Sequence, residues 1–179
     1  LPKILAAFET KCGLCVIVLE KTGGVYLLAD VQAALGGKIA PQHVAWIINA
    51  TYNIACYLEY AKLTHNAISP ATLFVSPQHH SCLLLGGWWY GASSGARLNA
   101  LPALSHTYAP PNILRGKRAD TRLDLTMIKV MGRTLLGDAT GTALAGAPKP
   151  MIDFLRRPAA LDARLDYATW SGEVLPASF

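Results

Sequence analysis

The chain has no uninterrupted apolar run of about 18 residues, so no transmembrane helix is expected. It also lacks a signal-peptide pattern, because Lys3 is followed by only a short apolar stretch before Glu9-Thr-Lys11. Secretion is therefore not expected. Charge is scarce: 15% of the residues are Asp, Glu, Lys or Arg, while 52% are hydrophobic. A chain of 179 residues with that balance has either an unusually large core or surface that a partner covers. There are four cysteines and only one C-x-x-C, Cys12-Gly-Leu-Cys15. With no second C-x-x-C, a zinc site using Cys12, Cys15, His79, His80 and Cys82 is the minor reading. Free thiols in a reducing compartment are expected, and no metal. No G-x-S-x-G elbow accompanies Ser93-Ser94-Gly95 or Ser105-His106, so these serines read as loop residues rather than nucleophiles.

The net charge is +5, and part of the excess is local: Arg115, Lys117, Arg118, Arg122, Lys129 and Arg133 lie close in sequence. Such a cluster can meet phosphates or an acidic partner. No aromatics interleave with these charges as base stacking requires, so they read as a solvated helix face, and nucleic acid is not expected as a partner.

Apolar periodicity outlines the elements. Ile4–Glu9 and Cys15–Glu20 read as two strands of a hairpin, and 27–35 as a short helix stopped by Gly36-Gly37. Pro41 opens a helix to about Leu63, with Val44, Ile47, Ile48, Ile54, Ala55 and Leu58 on its apolar face. Trp46, Tyr52 and Tyr57 widen that face, predicting burial on most sides. A polar loop, 64–71, follows. Thr72–Val75 and Cys82–Leu85 then form a second hairpin around a turn at 76–81. Residues 86–112 show no periodicity and read as one long loop. Asp124–Leu136 reads as a helix ending at Gly137, 138–150 as a connector, and 151–155 and 161–170 as helices separated by Pro158. The expected class is mainly α with short β hairpins, in one domain. Because the first residue is Leu, the chain is expected to continue upstream.

The order of these elements carries a resemblance. His65-Asn-Ala-Ile-Ser-Pro-Ala-Thr72 is similar to the catalytic loop of protein kinases, His-Arg-Asp-x-Lys-Pro-x-Asn. Leu85-Gly-Gly87 follows Thr72 by thirteen residues, where that family has Asp-Phe-Gly. Tyr108-Ala-Pro-Pro-Asn112 resembles the end of the activation segment, and Asp124 the Asp that opens the central buried helix. From Ile4 to the C-terminus the chain thus resembles the large lobe of the eukaryotic-like protein kinase superfamily. Residues 1–24 stand where the last small-lobe strands and hinge would be, and 25–179 where the helical lobe would be. A further likeness is to kinase-like proteins encoded by tailed phages.

The resemblance implies a degenerate site. Phosphoryl transfer depends on positioning and charge neutralisation. Ala67 replaces the Asp that receives the substrate's proton, and Ser69 replaces the loop Lys. Thr72 and Leu85 replace the Asn and Asp that hold magnesium, and Leu cannot ligate a hard cation. The retained residues, His65, Pro70, Pro111 and Asp124, are structural ones in the family. A catalytically inactive pseudokinase without cofactor is therefore expected, acting as a binding or scaffolding module. Its partner would be a protein, with Trp88, Trp89 and Tyr90 as the contact surface. The alternatives are a structural component of a large assembly such as a virus particle, and an atypical nucleotide-dependent phosphotransferase. The expected location is the cytoplasm or a viral particle, without membrane attachment.

Overall fold

The computed structural model describes residues 3–21, 23–144 and 146–179. The connector readings at Thr22 and Ala145, and the first two residues, lie outside them. The strands are β1 (Ile4–Glu9), β2 (Cys15–Leu19), β3 (Tyr26–Leu27), β4 (Leu63–Thr64), β5 (Leu73–Ser76), β6 (Ser81–Leu84) and β7 (Ala92–Ser93). The helices are α1 (Leu28–Ala34), α2 (Pro41–Tyr60), α3 (Ala103–Tyr108), α4 (Pro111–Gly116), α5 (Thr121–Leu135), α6 (Lys149–Arg156), α7 (Ala163–Thr169) and α8 (Leu175–Ser178). Helices dominate and the sheets are small, as the sequence pattern predicts. β1 pairs antiparallel with β2, β3-β5-β6 form a three-stranded antiparallel sheet, and β4 pairs with β7.

Two helices make the centre. α2 begins with Pro41 at its first position, where the missing N–H costs nothing. It buries Val44, Ala45, Ile47, Ile48, Tyr52, Ala55 and Leu58, although Tyr57 at 67% exposure faces outward. Asp120 caps α5 by accepting from the Arg122 N–H. Beyond that cap, ten residues of α5 are buried. Each large apolar side chain so buried contributes about 1.5–3 kcal/mol, which far exceeds the helix propensity of either segment. At Gly132 a Cβ would stand 2.8 Å from Ile48 Cδ1 and 2.9 Å from Leu155 Cδ2. Any larger residue there would have to push the Ile48 and Leu155 methyl ends aside, so glycine suits this close approach of α2, α5 and α6.

A buried polar network ties α7 to this centre. Lys129 Nζ on α5 lies 3.1 Å from Asp166 Oδ1 on α7. Tyr52 on α2 donates to Asp166 Oδ2 at 3.3 Å, and Lys129 also donates to the Pro158 carbonyl at 3.0 Å. The ammonium sits 4.4 Å from the Phe154 ring centroid. Burial lowers the Lys129 pKa, and Asp166 opposes that shift. The solvated-face reading of the basic cluster is therefore wrong for Lys129, which is 2% exposed. It also fails for Arg133, whose guanidinium donates to the carbonyls of Ala139 and Leu155.

Residues 86–112 are not one irregular loop. They contain a single 3-10 turn at Trp88–Tyr90, then β7, α3 and the start of α4. These pieces are too short to show a period, so they escape pattern reading. The C-terminal helix runs past Trp170 through a π-type turn, Trp170–Val174, into α8. Trp170 is fully buried there against Phe154, 5.2 Å between ring centroids.

Candidate functional site

The polar loop after α2 is built by backbone pairing on both sides. α2 stops where Lys62 turns left-handed at φ 58°, and β4 then pairs with β7 through Leu63↔Ser93 and Thr64↔Ala92. On the far side Ala29 N–H donates to the Pro70 carbonyl at 2.9 Å, and β5 enters the three-stranded sheet. Pro70 is buried at this junction.

Asp124 holds the loop from beneath. The His65 N–H donates to its Oδ2 and the Asn66 N–H to its Oδ1, both at 2.7 Å. The carboxyl is 2% exposed. Burial raises its pKa to about 6, and the two backbone donors oppose that rise. Asn66 is left-handed at φ 65°, a conformation that Asn tolerates better than most residues. Its side-chain amide donates to Thr64 Oγ1 at 2.9 Å and to the Tyr90 carbonyl at 2.8 Å. Sequence reasoning overlooked Asn66; a buried-loop Asn at a chain reversal was the available signal.

His65 donates from Nε2 to the Gly86 carbonyl at 2.8 Å, which fixes its tautomer. Burial pushes its pKa down to about 4, so the ring is neutral near pH 7. Its edge meets Trp88, 4.8 Å between centroids. Ala67 is buried, and Ser69, Thr72 and Leu85 are half-buried. The Thr72 hydroxyl donates to the Ala67 carbonyl at 2.7 Å and accepts the Ser69 N–H at 3.0 Å. Gly87 is left-handed, and a Cβ there would stand 2.9 Å from Thr72 Cγ2 and 3.2 Å from Ala67 Cβ. The Leu85–Gly87 segment is thus packed directly on the loop.

In chemical terms the site has one carboxylate, and both of its oxygens are used by backbone donors. The hydroxyl of Thr72 is spent on the loop itself. His65 Nδ1 and Asn66 Oδ1 are buried without partners. Among the described residues no group of three potential metal ligands converges anywhere. Cys12 and Cys15 are exposed on the first hairpin, and Cys82 lies on β6 with its thiol pKa raised to about 12 by burial. His79 and His80 are in the exposed turn before β6, where His80 meets Trp46 edge-on.

The three aromatics separate in role. Trp88 is half-exposed and its indole N–H donates to the Leu84 carbonyl at 2.8 Å. The Tyr90 backbone is engaged by Asn66. Trp89 stands out at 80% exposure. Pro111 is exposed at the first position of α4, where its missing N–H costs nothing. No protein-family model and no curated protein matches the chain. No helix among the described residues is long and apolar enough to cross a membrane.

Proposed function

We propose that the chain is a kinase-like large lobe that has lost phosphoryl transfer and serves as a binding or scaffolding module. One observation carries this reading: Asp124 clamps the His65 and Asn66 amides in a loop where Ala67 and Leu85 have no polar side-chain atom and Ser69 and Thr72 offer only hydroxyls, with no carboxylate to take a proton or hold a metal ion. A loop shape kept at the cost of a buried carboxylate, without the reactive groups, fits a scaffold better than an enzyme.

Binding would use the exposed apolar surface. Trp89 is one part of it. The β1–β2 hairpin is the other: Ile4, Leu5, Phe8, Leu14 and Ile17 are each more than half exposed. The strands pack chiefly on each other. Apolar patches of that kind mark protein contacts. The same hairpin favours the second reading, a packing unit of a large assembly such as a virus particle. The partner is a protein in both cases.

Thermal-shift titration with ATP, with and without magnesium, tests the loss of chemistry. No shift is expected even at millimolar nucleotide. Stabilisation that requires the metal would instead favour an atypical phosphotransferase.

A further inference from the structure

The most unusual charge arrangement lies away from this loop. Two short stretches, Gly95–Leu98 and Lys117–Ala119, are laced by backbone hydrogen bonds. Leu98 donates to the Lys117 carbonyl, Ala119 to Ala96 and Gly95 to Ala119, each at 2.8 Å. The pairing sets Arg97 directly opposite Arg118 in an antiparallel bridge. Like charges directly opposed across strands are destabilising. Lys117 adds a further constraint, being left-handed at φ 48°.

Nothing among the described residues neutralises this group. The nearest acid in sequence, Asp120, is bound by Arg122, and the other ion pairs are Lys129–Asp166 and Lys149–Asp153. Arg118 Nη1 donates to the Gly95 carbonyl at 2.9 Å, which orients its guanidinium on the ridge.

Two adjoining cavities meet at this ridge and share Arg97 and Lys117. The smaller, about 210 Å³, is lined by Arg97, Arg115, Gly116, Lys117 and Arg118, four cations and a glycine. The larger, about 370 Å³, has an apolar wall of Leu98, Leu101, Ile113 and Leu114, with His106 at its side. No acidic side chain lines either one. Convergent cations suit a phosphate, and guanidinium forks do so with particular geometric fit. A volume of a few hundred Å³ with apolar walls suits a small molecule. No Phe, Tyr or Trp lines the larger cavity to serve as a stacking platform for a nucleic-acid base, and His106 is its one ring.

We propose that this paired cavity binds a small organic phosphate, its phosphate between Arg97, Arg115, Lys117 and Arg118 and its apolar body against Leu101 and Leu114. Bound phosphate relieves the Arg97–Arg118 opposition, so the site is strained when empty and relaxed when filled. The proposal is independent of the kinase-like reading.

Isothermal titration with phenyl phosphate and with inorganic phosphate, at low and moderate salt, tests it. Phenyl phosphate should bind more tightly than inorganic phosphate. Arg97→Gln should weaken both probes at least tenfold, whereas Lys149→Gln on distant α6 should change neither. Leu101→Ser should remove the advantage of phenyl phosphate and leave inorganic phosphate binding intact. Because the exposed Arg97 side chain makes no hydrogen bond or ion pair among the described residues, the Arg97→Gln protein should melt no lower than wild type without ligand. Absence of binding, or equal weakening by Arg97→Gln and Lys149→Gln, overturns the site. Tighter binding of a phosphoserine peptide than of phenyl phosphate overturns the small-molecule assignment in favour of a protein ligand.

Discussion

Asp124 and His65 show how single buried groups hold the loop and set opposite pH dependences. Asp124→Ala orphans two buried backbone donors, each worth about 1–3 kcal/mol when unmade. The variant should therefore lose about 2–5 kcal/mol in urea unfolding, while Asp124→Asn, which keeps one acceptor, should lose less. His65 titrates near 4 when folded and near 6.5 when free, because burial excludes the charged ring. Between those values the unfolded chain binds the proton and the folded one does not. The stability of neutral His65 is complete above pH 6.5 and is lost as pH falls toward 4. Asp124 acts the other way: with its carboxyl raised from 3.8 to about 6, its favourable contribution is present at low pH and fades as pH rises through 6. The two trends offset each other in wild type between about pH 4 and 6. In His65→Gln only the Asp124 trend remains. The stability gap between wild type and this variant should narrow by up to about 2–3 kcal/mol between pH 7 and pH 4.5. A gap that stays constant across that range would show that His65 titrates normally. At this scale the resemblance pointed to His65, Pro70 and Asp124, because it is carried by residue type and spacing. It did not reveal Asn66, whose role depends on a left-handed backbone and on Tyr90, 24 residues away.

Among the elements, α2 and α5 were legible because each is long enough to repeat an apolar face several times. Both hairpins were legible from short apolar runs flanking turn residues. Residues 86–112 were not, because Trp88–Tyr90, β7 and α3 are held by contacts rather than by periodic pattern. Lys129 was misplaced for a related reason. A lysine reads as solvent-facing until Asp166, 37 residues later, is brought to it by α7. That pair gives a test of how the helices are joined. Asp166→Ala leaves a buried ammonium and should cost about 3–5 kcal/mol. Lys129→Met combined with Asp166→Leu removes both charges, and most of that loss should return. If the double variant is as unstable as the single one, the network contributes through Tyr52 and the Pro158 carbonyl rather than through the ion pair.

For the molecule as a whole, the buried apolar residues of α2, α5, α6 and α7 form one contiguous cluster. The aromatic-rich exposed surface lies outside it. On the proposed binding role, Trp89→Ala should weaken partner association, and it should leave the melting temperature within about 1–2 °C of wild type, since exposed sites away from packing rarely change stability by more than about 0.5 kcal/mol. Trp88→Ala should lower it, because its indole braces His65 and the Leu84 carbonyl. Loss of binding only in a variant that also unfolds would remove Trp89 from the contact surface.

The first hairpin has a consequence for the chain in solution. Its outer backbone edges carry N–H and C=O groups paired to no further strand among the described residues. Such an edge is a template on which another strand can form. A two-stranded ribbon with little packing beneath it is also marginal in water. Its inner amides should exchange with deuterium far sooner than those of α5, and should slow when a strand is added. The free protein should accordingly self-associate as its concentration rises, and Ile17→Lys, placing a charge on the ribbon, should suppress that association.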